Sequence, residues 1–296
     1  MEINETTILD DRGFIQVNGD EAKEFLQNII TNDIEKISEK YTLFSSIFTP
    51  QGKYLYEFFV LKLIDGYLIE SEKNVVPEII KIFNTYKLRS KVNLIDVSEK
   101  YNDVVISLEK FKQINKGEAK KGCTTIYNKD LTYIDPRNIK LGGKIISKIE
   151  NIENKIKNLN LHKVDKGKYY KKSFDLGIPQ VNLLNLKNKI FGIENNLDEL
   201  GGIDFKKGCY IGQENTSRIK LRNKLRRRIL PIQKIEGEIF ENDIIKYKSN
   251  EIGKVMIDKP FTFALIKIVD PDLKEFNNKE LTCGKSKVKV SKPHWM

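Results

Sequence analysis

The segment Phe205–Leu230, FKKGCYIGQENTSRIKLRNKLRRRIL, holds the residues with the clearest capacity for chemistry. Cys209 stands between Gly208 and Gly212, and these glycines allow backbone conformations and close approaches that a side chain would block. A helix could begin at Gln213, and a cysteine before a helix N-terminus and beside lysines favours the thiolate, the form that attacks or binds metal. The alternative is that Cys209 is a small apolar side chain buried in a turn. Both interpretations stay open here.

A dense run of positive charge follows the cysteine in the same segment. Its seven members fall within eleven positions: Arg218, Lys220, Arg222, Lys224, Arg226, Arg227 and Arg228. Guanidinium groups bind carboxylates and phosphates through paired hydrogen bonds, so the run predicts an anion-binding surface. The alternative is a solvated face whose aliphatic stems pack against the protein.

Composition limits the kinds of site that the chain can build. Its 296 residues include 52 Lys and Arg against 41 Asp and Glu, a formal net charge of +11. This excess favours an anionic partner, either nucleic acid or a polyanionic small molecule, but compositional bias with solvated lysines explains it equally well. Cys123, Cys209 and Cys283 form no CxxC pair, and the two histidines are far apart. We therefore expect no disulfide framework, no self-contained metal site and no histidine-based catalysis.

The chain also lacks the sequence features of an exported or membrane protein. No apolar run approaches the roughly 20 residues that a membrane helix needs. The N-terminal residues MEINETTILDD contain no basic region followed by an apolar stretch, so they do not form a signal peptide. We expect a cytoplasmic, monomeric protein without membrane contact.

Alternating and helical patterns indicate the elements that position these residues in the first half of the chain. TTILDDRGFIQVNG predicts a β-hairpin, and Asp20 is expected to cap a helix over DEAKEFLQNIITNDI. With the strands and the KNVVPEIIKIFNTYKL helix that follow, the order is β-α-β-β-α-β, which predicts a split βαβ sheet with helices on one face. A second set begins near Tyr101 and includes a lysine-rich helix at Ile145–Leu161. Another helix at Lys163–Leu176 ends at LGIP.

The pattern changes after the basic run. Short strands at regular spacing, such as RRRILPIQ, EIGKVMID and FTFALIKIV, predict a small β-barrel. We expect an α+β protein with a first region at 1–222, made of subdomains at about 1–100 and 101–222, and a C-terminal β-barrel at 223–296. The boundary is placed near Asn223.

KGCYIGQE, followed shortly by Arg218, resembles the signature of the YgfZ-type folate-binding proteins. These are relatives of the glycine-cleavage aminomethyltransferase, or T-protein, and of mitochondrial iron–sulfur assembly factors. The segments RGFIQVNGDEAKEFLQNIITND, FTPQGKYLYEF, YKLRSKV, DPR and LGIP resemble the family in the same order, so the resemblance covers essentially the whole chain. It implies a T-protein-like folate-binding fold of two α+β subdomains with mixed and antiparallel sheets, plus a C-terminal β-barrel.

The resemblance also implies a function. Tetrahydrofolate or a derivative would bind in a central cavity, and the protein would assist iron–sulfur cluster assembly or maintenance, indirectly supporting cluster-dependent tRNA-modifying enzymes. The implied partners are iron–sulfur assembly or recipient proteins. The motif carries over onto Lys207, Gly208, Cys209, Tyr210, Gly212, Gln213, Glu214 and Arg218.

Within the implied site, Cys209 is the residue tied to function. One cysteine cannot complete a typical four-cysteine cluster, so any iron–sulfur cluster would be transient and shared with a partner. The glutamate tail of the folate needs cations, and Arg222 and Arg226 are candidates to bind it.

The chain departs from the aminomethyltransferase pattern at two places. The expected acidic pair reads Tyr56-Glu57, so Glu57 alone could take the place of the missing aspartate at the folate. An Arg-x-Glu pattern aligns with the segment that ends at Asp175. Asp175 could accept hydrogen bonds from a pterin edge, and Tyr169 and Tyr170 could stack on a flat ring or lie in the core.

We therefore do not expect a self-sufficient enzyme. The alternatives are a folate-dependent aminomethyltransferase, disfavoured by the missing acidic pair, and a basic RNA-binding protein. No RNA-module signature occurs in the chain, so direct nucleic-acid binding is not favoured.

Overall fold

The structure is a computed structural model, and it describes residues 1–115, 117–222, 224–268, 270 and 273–296. The chain forms two compact units from interleaved segments. Unit 1 comprises Met1–Ile47, Tyr56–Tyr169 and Leu200–Ile211, and unit 2 comprises Phe48–Leu55, Tyr170–Glu199 and Gly212–Met296. Within the described ranges, no helix is long and apolar enough to cross a membrane.

These units divide the chain differently from the predicted domains at 1–222 and 223–296. Segments 48–55 and 170–199 group with the C-terminal residues rather than with the rest of the first region. The predicted bounds stay a prediction, and Asn223, where the boundary was placed, lies outside the described residues.

The first sheet of unit 1 has five strands in the order β3-β4-β5-β2-β6. Its strands are β2 (Arg12–Asn18), β3 (Leu43–Phe48), β4 (Tyr54–Leu63), β5 (Gly66–Glu72) and β6 (Asn93–Asp96). Helix α1 (Ala22–Ile29) follows β2 and helix α2 (Val76–Lys87) follows β5. Strand β2 pairs antiparallel with both β5 and β6, which confirms the predicted split βαβ arrangement, with β3 added at one edge.

The second sheet of unit 1 has six strands in the order β11-β1-β7-β10-β9-β8. Its strands are β1 (Glu5–Leu9), β7 (Tyr101–Ile106), β8 (Thr124–Tyr127), β9 (Asp130–Ile134), β10 (Gly143–Lys148) and β11 (His162–Lys163). Strands β1 and β11 are parallel, whereas β1, β7, β10, β9 and β8 pair antiparallel in turn. The sheet is therefore mixed, as expected.

The two sheets of unit 1 face each other, and helices cover their outer faces. On the first sheet, Phe58 packs edge-on against Phe83 of α2, which also contacts Phe25 of α1. On the second, a buried cluster joins its strands to helices α3 (Leu108–Ile114) and α4 (Ile152–Asn158). Between the sheets, the Phe59 and Tyr133 ring centroids lie 5.7 Å apart. The inner strands are consequently buried on both faces.

Three local predictions in this half of the chain are wrong. β1 and β2 do not form a hairpin, because each pairs with distant strands in a different sheet. Residues 143–148 are strand β10 rather than the start of a helix, since Ile145 and Ile146 pair with β7 and are buried. Asp20 does not cap α1, which begins at Ala22 with Glu21 at its N-cap.

Unit 2 contains a closed barrel with the strand order β12-β15-β14-β13-β16-β17, which confirms the predicted C-terminal barrel. Its strands are β12 (Arg227–Glu236), β13 (Ile244–Tyr247), β14 (Asn250–Ile257), β15 (Phe263–Lys267), β16 (Glu280–Cys283) and β17 (Ser286–Val290). Alternate strand residues point inward and form one apolar cluster. A closed barrel leaves no unpaired sheet edge.

Two further helices lie in the segments that carry the predicted site residues. Helix α5 (Lys166–Asp175) lies within the predicted Lys163–Leu176 helix, and Gly177 follows it at φ +73. A Cβ on Gly177 would lie 2.4 Å from Pro293, so the chain stops the helix where only glycine fits. Helix α6 (Gln213–Leu221) begins where the sequence predicted a helix.

Candidate functional site

Gly212 fixes the start of α6. It is the N-cap residue and has φ +85, a conformation that residues with a side chain rarely adopt. A Cβ at this position would lie 2.5 Å from the Thr49 carbonyl oxygen and 2.9 Å from Phe48 Cβ. The predicted need for glycine at this position is physically explained. Gly208 differs, because a Cβ there would meet nothing within 4 Å, so no close approach requires that glycine.

Lys207 is a buried structural residue. Its Nζ donates hydrogen bonds to the carbonyl oxygens of Gln27 (2.6 Å), Ile30 (2.7 Å) and Asn32 (2.9 Å), at and just beyond the end of α1. The last carbonyls of a helix lack partners within the helix, and Lys207 supplies donors at that end. Burial lowers the pKa of Lys207 to about 8, although the charge of Asp204 opposes the shift.

Tyr210 anchors the other side of Cys209. Its ring is buried, and the Lys207 ammonium lies 5.3 Å from the ring centroid. Burial raises the pKa of the Tyr210 hydroxyl well above its usual value. Two buried side chains therefore flank Cys209 in the chain.

Cys209 itself is exposed, so the interpretation of a cysteine buried in a turn is wrong. The other two cysteines have different surroundings. Cys123 is partly buried and its Sγ donates to the Glu118 carbonyl oxygen at 3.0 Å. Cys283 lies inside the barrel core, and burial raises the pKa of its thiol to about 11. Of the three, Cys209 presents its sulfur to solvent.

Among the described residues, some cations of the basic run form ion pairs with acidic side chains, and others do not. Arg218 pairs with Glu214 one helical turn away, so these two members of the motif satisfy each other on the exposed face of α6. Ion pairs also join Lys220 to Asp198, Arg227 to Glu194 and Arg228 to Glu199. Arg222 and Arg226 are exposed, and no ion pair is found for either within the described residues. Part of the run thus matches the solvated interpretation, and the rest carries uncompensated charge.

The four predicted folate residues lie in different surroundings. Asp175 is half-exposed at the end of α5 in unit 2, where it pairs with Lys171. Tyr170, also in unit 2, and Tyr169, in unit 1, are both buried, as core aromatic residues are. Glu57 lies on β4, inside unit 1.

Glu57 belongs to a buried charged group that the sequence reasoning only partly found. The Arg137 side chain donates to both carboxylate oxygens of Asp135, at 3.1 and 2.7 Å, and its Nη1 lies 3.7 Å from Glu57 Oε1. The guanidinium also stands over the rings of Phe44 (5.3 Å) and Phe59 (4.7 Å). Although burial opposes charge on Arg137, Asp135 raises its pKa above the usual value. Asp135 and Arg137 belong to the DPR segment, which was the available signal.

A second buried charged group lies between the same two sheets and was missed. Glu70 Oε1 accepts hydrogen bonds from Arg12 Nε (2.9 Å) and Lys144 Nζ (2.6 Å), and its Oε2 accepts one from the Tyr133 hydroxyl. Lys144 Nζ also lies 3.2 Å from Asp103 Oδ2. Glu70 and Lys144 each precede or follow isoleucine in their strands, as in YLIES and KIIS, and a charged residue in such an apolar stretch is the sequence signal for this group.

The two carboxyl groups of this second group have opposite pKa shifts. Burial opposes ionisation of Glu70, but the positive charges of Lys144 and Arg12 lower its pKa to about 2. Burial and the neighbouring charge of Glu70 raise the pKa of Asp103 well above its usual value. At neutral pH Glu70 is therefore ionised, whereas Asp103 holds its proton to a higher pH than an aspartic acid in water.

Comparison with known proteins finds that the chain is similar to iron–sulfur cluster assembly factors. The chain is 30% identical over 239 residues to the mitochondrial iron–sulfur cluster assembly factor IBA57 homologue of Neurospora crassa, covering 76% of this chain and 52% of that protein. The homologue of Mycosarcoma maydis is 29% identical over 242 residues, covering 75% and 55%. That of Dictyostelium discoideum is 26% identical over 259 residues, covering 76% and 61%. The chain spans little more than half the length of these curated relatives. No protein-family profile matches the chain.

Among solved structures, the chain is similar to the glycine cleavage system aminomethyltransferase T of Bartonella henselae. The TM-score is 0.77 at 11% sequence identity, covering 99% of this chain and 86% of that chain. This likeness shows the fold, and it confirms the expected α+β architecture with a C-terminal barrel. The resemblance to aminomethyltransferases and assembly factors is confirmed, whereas the narrower YgfZ type stays a prediction.

The comparison with the IBA57 homologues overturns one prediction. The sequence led us to expect a cytoplasmic protein, but the IBA57 homologues are named as mitochondrial proteins. The cytoplasmic location is therefore wrong. Its basis was the lack of a recognisable secretory signal, which does not bear on mitochondrial import.

Proposed function

We propose that this chain assists iron–sulfur cluster assembly, with the Cys209 thiolate as one transient ligand of a cluster that a partner protein also holds. One observation carries the proposal: the chain is similar over 76% of its length to a protein named as an iron–sulfur cluster assembly factor. The cluster is cargo in this proposal rather than a resident cofactor.

The position of Cys209 supports this role. Its neighbours Lys207 and Tyr210 are buried, so the backbone is anchored on both sides while the sulfur faces solvent. Thiolates are the usual ligands of iron–sulfur clusters, and such a cluster takes about four of them. Cys209 supplies one, and the partner supplies the others.

The test is the rate of cluster transfer between a loaded iron–sulfur scaffold protein and an apo-ferredoxin, followed by visible circular dichroism. We expect Cys209→Ala to slow the transfer that this protein stimulates by at least about tenfold, while its melting temperature stays unchanged because the side chain is exposed. Cys123→Ala is the matched control and should keep the wild-type rate. It removes a thiol that donates a hydrogen bond to the Glu118 carbonyl oxygen. Equal rates for Cys209→Ala and wild type would exclude the ligand role.

The second part of the proposal is that the interior of unit 1 binds tetrahydrofolate, which supplies one-carbon chemistry when bound. Glu57 and Arg137 fit this ligand. The carboxylate of Glu57 is an acceptor of the kind that the adjacent N–H groups of a pterin edge require, and its Oε1 lies 3.7 Å from Arg137 Nη1. The Arg137 guanidinium lies over the rings of Phe44 and Phe59, so aromatic side chains adjoin this charged group.

Fluorescence titration with tetrahydrofolate tests this part separately. Glu57→Gln keeps the shape but removes the charge, and a hydrogen bond to a charged group contributes about 1.5–3 kcal/mol, so we expect at least roughly tenfold weaker binding. Asp175→Asn is the matched control, because Asp175 is half-exposed and pairs with Lys171. Equal weakening by both substitutions would place the ligand elsewhere. If wild type failed to bind at high micromolar concentration, the folate part would be removed and the cluster part kept.

The fold likeness to the aminomethyltransferase does not transfer its activity, since 11% identity shows the fold alone. Support of cluster-dependent tRNA-modifying enzymes and the monomeric state remain predictions. Both are consistent with the proposed role of a protein that acts on clusters with partners.

A further inference from the structure

The ends of two helices share a short sequence. Residues 87–91 read KLRSK and residues 220–224 read KLRNK. Helix α2 ends at Lys87 and helix α6 ends at Leu221, so each leucine is the last residue of its helix or the next one. We call the two places the Leu88 corner (Lys87, Leu88, Arg89 and Lys91, in unit 1) and the Leu221 corner (Leu221, Arg222 and Lys224, in unit 2).

Both leucines project into solvent. Leu88 is 86% exposed and Leu221 is 85% exposed. A leucine side chain contributes to folding by leaving water, and these two remain in it. Burial of these two side chains therefore does not stabilise the units to which they belong.

Leu88 also has an unfavourable backbone conformation for its residue type. Its φ is +49 and its ψ is −110, a region that favours glycine. Leu273 shares a positive φ, but its side chain is fully buried in the barrel core, which explains a leucine there. At most other such positions in the described part of the chain, the residue is asparagine. The fold explains the turn at Leu88 but not the choice of leucine.

The cations at both corners lack acidic partners. Among the described residues, Arg89, Lys91, Arg222 and Lys224 form no ion pair, whereas nearby Lys220 pairs with Asp198. The Leu88 corner lines an open groove of about 670 Å³ together with Glu21 and Ser90. The Glu21 carboxylate accepts a hydrogen bond from the Lys91 backbone N–H, so it is engaged locally. Each corner thus combines an exposed apolar side chain with cations that form no ion pair among the described residues.

We propose that each KLR corner, taken by itself, docks an acidic protein surface, with its leucine entering an apolar pocket and its flanking cations facing carboxylates. Interface energy concentrates in a few side chains that become fully buried, with charged groups around them. Complementary charge at the rim guides association and fixes orientation. This docking surface does not depend on the role proposed for Cys209 or on folate binding.

The observations favour a protein over RNA as the occupant. Sequence-independent binding of single-stranded RNA relies on aromatic side chains that stack on bases. The side chain at the tip of each corner is aliphatic. An aliphatic side chain is suited to an apolar protein pocket, and the surrounding charge requires that pocket to have an acidic rim.

Site-specific crosslinking in cells tests the surface. Photoreactive benzoyl-phenylalanine is placed at position 88, at position 221 or, as a control, at position 64, where Ile64 is 92% exposed in a β-hairpin turn. We expect a crosslinked protein from positions 88 and 221 but not from position 64. The captured protein is then purified, and its Kd for the full chain is measured at rising salt.

Variants give the decisive comparison. We expect Leu88→Asn, Arg89→Glu and Leu221→Ala each to raise the Kd at least about tenfold, and Ile64→Asn to leave it unchanged. Leu88→Asn should leave the melting temperature unchanged, because the Leu88 side chain is 86% exposed. Salt should weaken wild-type binding, since the cations are exposed. No crosslinking above the position 64 background, capture of RNA instead, or equal Kd values for the corner and control variants would each overturn the proposal.

Discussion

Lys207 shows how one side chain in a sequence motif can serve the fold rather than the chemistry beside it. Its ammonium group donates to three backbone carbonyls around the end of α1, from residues 175 to 180 positions away in the sequence. A lysine with its donors used in this way holds the backbone before Cys209 in place. The cysteine is then presented by a fixed segment.

We expect Lys207→Ala to lower the free energy of unfolding by about 2–4 kcal/mol, because it leaves buried carbonyl oxygens without donors. Urea denaturation followed by circular dichroism measures the effect. Lys206→Ala is the control, since Lys206 is exposed and should change stability by less than about 0.5 kcal/mol. Similar effects of the two substitutions would contradict the structural role.

The two glycines around Cys209 should respond differently to substitution. Gly212→Ala forces a side chain into a positive-φ position and against the Thr49 carbonyl oxygen, so we expect a loss of at least about 2 kcal/mol. Gly208→Ala meets open space and should be tolerated. Thermal unfolding of both variants decides this, and equal losses would show that Gly208 is constrained in a way that its geometry does not indicate.

At the scale of elements, the facing strands of unit 1 create the buried charged groups. Strand β5 contributes Glu70, β7 contributes Asp103 and β10 contributes Lys144, all almost fully buried. Removal of a charge from water is costly, and Lys144 offsets part of that cost because its Nζ lies 2.6 Å from Glu70 Oε1 and 3.2 Å from Asp103 Oδ2. The pairing of the sheets, rather than any one strand, produces this chemistry.

The raised pKa of Asp103 predicts a pH dependence of stability. Unfolded Asp103 loses its proton above pH about 3.8, whereas folded Asp103 holds the proton to a higher pH. Its contribution to stability therefore falls as pH rises through that interval, by up to ~1.4 kcal/mol per pH unit. Glu70 has the opposite effect on stability, because its pKa is lowered in the folded protein. Its ionised form stabilises the fold above pH about 4.5, and this stabilisation is lost as the pH falls toward 2.

Asp103→Asn should remove the fall in stability with rising pH that Asp103 causes, and it should leave the pH dependence that Glu70 causes. We expect the difference in unfolding free energy between wild type and Asp103→Asn to shift against wild type as the pH rises above about 3.8. Chemical denaturation at a series of pH values gives this difference. Parallel profiles for the two proteins would mean that Asp103 is ionised in the folded protein.

At the scale of the whole molecule, each compact unit is assembled from three chain segments. Within unit 2, Asn196 donates to the Ile229 carbonyl oxygen at 2.7 Å, and Phe174 stacks on Phe261 at 5.4 Å. The barrel strands therefore share buried contacts with residues before position 200. A cut at the predicted domain boundary would break these contacts.

Expression of 1–222 and 223–296 as separate chains tests this organisation. We expect 1–222 to bind a hydrophobic dye and 223–296 to be less stable than the barrel in the full chain, because both lose apolar contacts. Two soluble fragments with cooperative unfolding and no dye binding would instead support the predicted domain bounds.

Local patterns were sufficient for much of the fold. Helical and alternating periodicity placed α1, α2, α5 and the barrel strands, because these patterns depend on which side chains share a face of one element. Where two elements looked alike locally, periodicity failed: Ile145 and Ile146 suit a helix or a doubly buried strand, and the structure places them in β10.

The sequence alone determined the position of the cysteine motif, the start of α6 after Gly212 and the class of fold. The tertiary structure decided that Lys207 serves α1, that Cys209 is exposed, and that Glu57 meets Arg137 inside unit 1. The physical reason is that a hydrogen bond or an ion pair depends on distance in space. Residues far apart in the chain come together only after the strands have paired, and a local sequence pattern does not predict which strands will pair.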